Sequence, residues 1–336
     1  MSLKEVISHE YNEIIKSYLE EQTEQALYLS QKFSRKLIEQ HVSPEEIISL
    51  HKNALLKNEP NISLNVLHSF DILLEVMMGY GLAYREHQSL RSIQQELKTE
   101  IEVAANMQQT LLGTTIPQIE GLDIGAISVP AKQMSGDYYH FVQDEDGSLS
   151  IAIADIIGKG IPAALCMSMI KYAMDSLPDH RYYPSSVLSS LNRVVEQNVD
   201  PSMFISMFYG LYEMDEHLFH FSSAGHEPGF YFEASTQIFT ELKAKGLLLG
   251  VDKKSRYRQY KKKIAPGDMI ILLSDGVTEC RINEGFIERE TLIEYIKKYI
   301  HLKSQDIVNK IYKELEALQD FQLRDDFTLI ILKRDM

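Results

Sequence analysis

Apolar residues recur at helical spacing over positions 3–38, at Ile7, Tyr11, Ile14, Ile15, Tyr18, Leu19, Leu27, Phe33 and Leu37, and this predicts a first helix. Ser43-Pro44-Glu45-Glu46 predicts the start of a second, which runs to about Lys57. Ser43 suits the N-cap, Pro44 the first helical position, and Glu46 completes a capping box. Asn58-Glu59-Pro60-Asn61 is a break, and a third helix rich in Leu, Val, Met and Tyr covers about 62–84. Residues 85–112 form a more polar helix in which Leu90, Ile93, Leu97, Ala104, Met107 and Leu111 fall at alternating spacings of three and four, with Glu100 the one misfit. That is a short coiled-coil stripe. It also suits a single amphipathic helix packed on its own domain. Its position, between a helical module and a different kind of sequence, favours a linker that pairs or transmits a signal.

From Ile116-Pro117 the pattern changes to strands and turns. Strands are expected at about 122–129, 138–143, 149–155, 204–213, 217–224, 229–233, 261–264, 269–274 and 327–333. Two helices, 161–177 and 184–199, fall together, as do two more, 289–300 and 304–318. Grouped strands and grouped helix pairs point to the α+β class rather than alternating βαβ units. A helix pair on each outer face of two antiparallel sheets, an α–β–β–α sandwich, fits that order. The expected division is therefore a helical domain at 1–84, a helical linker at 85–117 and a sandwich domain at 118–336.

Four acidic sites lie at the ends or starts of these apolar runs: Asp137 in Ser-Gly-Asp-Tyr, Asp155 in Ala-Asp-Ile-Ile-Gly-Lys-Gly, Asp275 in Ser-Asp-Gly, and Asp325-Asp326 in Arg-Asp-Asp-Phe-Thr. Singly, each is an ordinary turn residue. Together, carboxylates at strand ends can converge on one rim, where they repel unless a cation neutralises them. Oxygen ligands without His or Cys point to Mg²⁺ or Mn²⁺.

Composition narrows the alternatives. A formal net charge of −14 argues against general nucleic-acid binding. The basic run Lys253-Lys254-Ser255-Arg256-Tyr257-Arg258 with Lys261-Lys262-Lys263 is local; it reads first as a solvated loop and edge strand, and second as a handle for an acidic phosphoprotein. Cys166 and Cys280, without paired spacing, argue against both a zinc site and a disulfide framework. No uninterrupted apolar run approaches the roughly 20 residues of a membrane span, and the first residues lack a signal-peptide core. A cytoplasmic location is the expectation. Gly158-Lys159-Gly160 lacks the frame of a P-loop, so Lys159 reads as a loop residue. Lys132 reads as a surface residue, and His226, in a turn between two strands, as structural. No Ser sits in a nucleophile elbow.

The set of acidic motifs, in this order, resembles the PP2C-type Mn²⁺/Mg²⁺-dependent serine/threonine phosphatases in their SpoIIE-like bacterial branch, over residues 118–336. The resemblance implies two metal ions. Asp155 would bridge them, with Asp137 and the backbone carbonyl of Ile156 on one, and Asp275 and Asp325 on the other. Asp326 competes with Asp325 for that role, since adjacent strand residues point to opposite faces. Asp137 and Asp155 would be the catalytic pair, because the ions activate a water for in-line attack on phosphorus. Gly158 and Gly160 would allow the tight turn that follows. The eukaryotic branch carries Gly and then His after the bridging Asp; Ile156 and Ile157 stand here, which leaves the general acid unassigned. The bacterial branch generally lacks that His too.

The order of helical module, linker and phosphatase resembles the regulatory phosphatases of partner-switching stress pathways that control a sigma factor. That resemblance implies a phosphorylated STAS-domain anti-sigma-factor antagonist as substrate. It also implies a switch kinase-like protein as activator on residues 1–84 and a homodimer through that domain. A phosphatase-like binding module without turnover, or a hydrolase of a small phosphorylated molecule, are the competing expectations.

Overall fold

A computed structural model describes residues 3–144, 147–158, 160–177, 183–200, 202–282, 285–319, 321 and 323–335. Its contacts divide the chain into two compact units, Met1–Lys98 and Thr99–Met336.

The first unit holds helices α1 (Leu3–Glu21), α2 (Glu24–Glu39), α3 (Pro44–Asn58) and most of α4 (Leu64–Leu112). Ile7, Ile14, Phe33 and Leu37 form its core, with Tyr11, Val42, Ile47 and Leu50 packed around them. The single helix expected over 3–38 is two helices. Gln22 adopts positive φ, and the Thr23 hydroxyl accepts the Ala26 amide at 3.4 Å to cap α2. A break this short keeps both apolar stripes on the same core, so periodicity alone does not reveal it. The expected capping box at Ser43 and Glu46 is present. No break separates 62–84 from 85–112: α4 is continuous for 49 residues, because the change from apolar to polar composition brings no helix breaker. Gly81 on α4 lets Glu45 of α3 approach, since a Cβ there would lie 2.1 Å from the Glu45 carboxylate. Glu45 then pairs with Arg85 at 2.6 Å. Although no apolar run in it is uninterrupted, α4 is long and apolar enough over one stretch to cross a membrane by length and composition.

The second unit is the α–β–β–α sandwich. One sheet runs β2 (Asp137–Gln143), β3 (Leu149–Ile156), β4 (Ile205–Glu213), β5 (Leu218–Ala224) and β8 (Tyr260–Lys263) in that spatial order. The other runs β1 (Leu122–Val129), β12 (Phe327–Arg334), β9 (Met269–Leu273), β6 (Gly229–Glu233) and β7 (Ile238–Leu242). The strands of both sheets pair antiparallel. Helices α5 (Ile161–Asp175) and α6 (Pro184–Asn198) pack on the first sheet, α8 (Arg289–Tyr299) and α9 (Ser304–Leu318) on the second. A one-turn α7 (Asp275–Thr278) and a short ribbon, β10 (Arg281–Ile282) with β11 (Gly285–Phe286), complete the unit. Sequence reading missed β7, whose residues are mostly exposed, and α7 and the ribbon, which are too short to show a period.

The central strands explain their own composition. Ile151 and Ile153 of β3 enter the core between the sheets, while Ala152, Ala154 and Ile156 enter the core under α5 and α6. Likewise Ile270 and Leu272 of β9 face between the sheets and Met269, Ile271 and Leu273 face α8 and α9. A strand covered on both faces alternates in direction but not in polarity, so it reads as a continuous apolar run.

Helix α9 is pinned to the edge strand β1. Gln305 donates to the Ala126 carbonyl and accepts the Ala126 amide, both at 3.1 Å, and Ser304 bonds Asp123. Gly125 makes this possible, since a Cβ there would lie 2.3–2.4 Å from the Ser304–Gln305 backbone. Gly125→Ala is expected to destabilise the sandwich by about 1–3 kcal/mol, the usual cost of overpacking; chemical denaturation followed by circular dichroism checks it.

Candidate active site

The antiparallel register places Asp137, the first residue of β2, directly opposite Asp155 near the end of β3. Residues paired in this way share a face, with Cβ atoms roughly 5 Å apart. On the other sheet, β9 ends at Leu273, just before Ser274-Asp275, and antiparallel β12 begins just after Asp325-Asp326. The two sheets meet at this rim. The Ala131 amide donates to one oxygen of Asp326 at 2.7 Å, and the Gly136 amide donates to the other. The structure thus brings all four acidic segments to one end of the sandwich.

Gly136 marks where they converge. A Cβ built on it would lie 3.3 Å from an oxygen of Asp155, 3.3 Å from an oxygen of Asp326 and 3.4 Å from the carbonyl oxygen of Ile156. Three acceptor oxygens therefore border a space that glycine leaves open. Asp137 is only 5 % exposed, and its Oδ2 atom is buried without a hydrogen-bond partner. Burial pushes the Asp137 carboxyl well above the usual carboxylate range, with Asp155 and Asp326 adding repulsion against the pull of the Ser274 and Thr328 hydroxyls. Asp275 is raised too, first by burial and then by Asp325, Glu279 and Glu227. The carboxylates ring the space rather than closing on one point: among the described residues, no three acidic, His or Cys side chains are grouped tightly enough to hold a single ion. This donor set suits a hard divalent cation that uses one or two carboxylates and keeps several waters.

Asp325 and Asp326 lie in a bend before β12 and part company there. Asp325 interacts with Asp275, whereas Asp326 is buried, with both oxygens engaged by backbone amides. Gly276 admits this bend, because a Cβ on it would lie 2.1 Å from the Asp326 carbonyl oxygen. Ser274 Oγ accepts the Thr328 amide at 3.0 Å and donates to the Asp326 carbonyl at 3.2 Å. Sequence reading missed Ser274 and Thr328 as partners of Asp137; a hydroxyl bonded across strands leaves no spacing signal.

Gly158 and Gly160 both take positive φ, as a tight turn after Asp155 requires. Lys159 lies outside the described residues. Lys132 is exposed. His226 is buried and bonded through Nδ1 to Ser206 at 2.7 Å, and Ser206 pairs with Asp155 across β3 and β4. Burial brings its pKa down to about 4, against a weaker upward pull from Leu273. Burial thus disfavours its charged form. Gln108, near the end of α4, was also missed. Its amide donates to the Ser135 carbonyl at 2.8 Å and its oxygen accepts the Ser135 amide at 3.1 Å, one residue before Gly136. A cleft of about 400 Å³ beside it is lined by Gln108, Leu112, Ser128, Gln133, Asp137 and Tyr138.

Residues 145–335 match the family described as Stage II sporulation protein E (SpoIIE), and residues 9–83 match the N-terminal domain of phosphoserine phosphatase RsbU. Phosphoserine phosphatase RsbU of Bacillus subtilis (strain 168) is 60 % identical over 334 residues, covering 99 % of each chain. The chain belongs to the RsbU family. It is a PP2C-type serine phosphatase. The SiaA PP2C domain of Pseudomonas aeruginosa superposes with a TM-score of 0.61 at 17 % identity, over 72 % of this chain and 99 % of that one. RsbX in complex with magnesium superposes with a TM-score of 0.51 at 15 % identity, over 66 % and 99 %. At such identities these structures speak to the fold alone. They share it with this RsbU-family chain.

The raised Asp137 carboxyl has a stability consequence. A carboxyl whose folded pKa lies above its unfolded value stabilises the fold while protonated, and that contribution is lost as pH rises through the folded pKa. In metal-free protein at neutral pH, Asp137→Asn is therefore expected to raise stability, because it removes a buried charge that burial and its acidic neighbours disfavour. The same variant is expected to lose the thermal upshift that Mn²⁺ gives the parent. Differential scanning calorimetry with and without Mn²⁺ checks both.

Proposed function

We propose that the chain is a two-ion phosphoserine protein phosphatase in which Asp155 is shared between two divalent cations, Mn²⁺ or Mg²⁺. Asp137 and the Ile156 carbonyl serve one side, and Asp275 with Asp325 the other. Asp326 is assigned a different task. With both oxygens taken by the Ala131 and Gly136 amides, it braces the loop that delivers Asp137. The observation that carries this reading is the Asp137–Asp155 pair: two carboxylates opposite each other, one of them buried with an unpartnered oxygen. Without a cation, that pair is repulsion with nothing gained.

Bound ions would supply Lewis-acid polarisation of the phosphoryl group and an activated water. The chain's own part is to hold four carboxylates and one carbonyl oxygen in register on a rigid rim. His226, unprotonated near neutrality, does not supply the leaving-group proton. Ile156 and Ile157 offer none, which leaves the general acid unassigned.

The substrate in this reading is the phosphoserine form of a STAS-domain anti-sigma-factor antagonist, in the cytoplasm. Residues 1–84 form the dimerisation and activator-binding domain, 85–117 the linker and 118–336 the catalytic domain. A switch kinase-like protein docked on residues 1–84 would order the linker as a coiled coil. Support comes from the N-terminal family match and from the linker stripe: Leu90, Ile93, Leu97, Met107 and Leu111 are each at least half exposed in the single chain. A helix presenting such a row to solvent gains by pairing. Gln108, bonded to the residue before Gly136, ties the far end of that helix to the loop holding Asp137.

Phosphate release from the phosphoserine STAS protein is expected to need Mn²⁺, to rise with the activator and to fall to background in Asp155→Asn. Asp326→Ala is expected to lower activity by about 10–100-fold, the usual effect of losing a group that orients metal ligands, with a raised Mn²⁺ requirement. Tight binding of the phosphoprotein without turnover, under every metal and partner condition, would replace the enzyme with a binding module.

A further inference from the structure

The chain carries a formal net charge of −14, yet one edge of the sandwich is basic. β8 is the outermost strand of its sheet, and the segment leading into it carries Lys254, Arg256 and Arg258, followed by Lys261 and Lys263 on β8 itself. All five are exposed, and among the described residues none of them makes an ion pair. Elsewhere cations are commonly neutralised within the chain, as in Lys171–Asp175, Lys298–Glu314 and the Arg289 pairs with Glu227 and Glu241.

The backbone orders these charges. Tyr257 is buried under α6, so Arg256 and Arg258 flank it on the outside. Lys262 lies over the Tyr231 ring at 4.1 Å, so Lys261 and Lys263, one step away on either side, project from the opposite face. The chain that leads into the run leaves the sheet near the acidic rim, and β8 then lies toward the other end, with Lys263 opposite Leu218. Leu249, four residues before Lys253, bridges to Ile205, which pairs with Ile156 beside Asp155.

We propose that this edge is the docking track for the acidic surface of the phosphoprotein substrate. This rests on the phosphoprotein reading above and deepens it. A phosphoprotein brings about −2 at the phosphoserine alone to an enzyme that is itself strongly acidic, so general electrostatics oppose the encounter. An unneutralised basic edge on the flank of the sheet that carries Asp155 reverses that repulsion along one approach and fixes orientation. Lysines on an edge strand also block sheet-to-sheet pairing. Glutamates at the same positions block it equally well, so charge reversal separates the two roles.

The test is steady-state kinetics of the full chain with Mn²⁺ and activator, comparing the parent with a combined Arg258→Glu, Lys261→Glu, Lys263→Glu variant. The substrates are the phosphoserine STAS protein and p-nitrophenyl phosphate. The expected result is at least a tenfold fall in kcat/KM for the phosphoprotein, carried by KM, with p-nitrophenyl phosphate hydrolysis unchanged. Added salt should erode the parent's kcat/KM but not the variant's. Equal kcat/KM for the phosphoprotein in parent and variant would overturn the docking track alone. A parent that hydrolyses p-nitrophenyl phosphate but never the phosphoprotein would overturn the protein-substrate reading and the track with it.

Discussion

Asp137 and Asp155 face each other across a β ladder at a separation where like charges oppose folding, and the surrounding structure is arranged to hold them there. β3 secures Asp155 by burial on both faces, with apolar partners between the sheets and under α5 and α6. Asp137 is secured from the other sheet, by the hydroxyls of Ser274 and Thr328 and by the Asp326 brace on the preceding loop. Neither sheet could impose this geometry alone. The strain is local and electrostatic.

Glycine sets the dimensions of the rim. Gly136 keeps open the space bordered by three oxygens, and Gly276 lets the Asp325–Asp326 bend pass within contact of α7. Both positions depend on the absence of a side chain rather than on backbone freedom, since neither has positive φ. Gly158 and Gly160 serve the other purpose, turning the chain sharply after Asp155.

Much of this was legible in the sequence, for identifiable reasons. Strands buried on both faces appear as apolar runs such as Ile151–Ala154 and Met269–Leu273, and the acidic residues punctuating them mark one end of the sheets. The break at Gln22-Thr23 was not legible, because one residue of positive φ leaves the apolar stripe in phase. The continuity of α4 was obscured by a composition change that has no conformational meaning. Asp325 and Asp326 could not be told apart by strand alternation because they precede the strand, where the bend sends one to Asp275 and the other to backbone amides. Gln108 was invisible because its bonds go to backbone, which every residue possesses.

β12 comes after every other strand in chain order, yet it lies inside its sheet, between β1 and β9. A ribosome therefore releases Asp137 and Asp155 long before the strand that completes their surroundings. Until residues 327–334 emerge, β1 lacks its strand partner, and the Thr328 and Asp326 groups beside Asp137 are not in place. Such a nascent chain has most of the carboxylates but no rim to hold them. Closure of the longest-range pairing in the fold, β1 with β12, is a slow, high-contact-order event. Assembly of the acidic rim thus waits for the last strand.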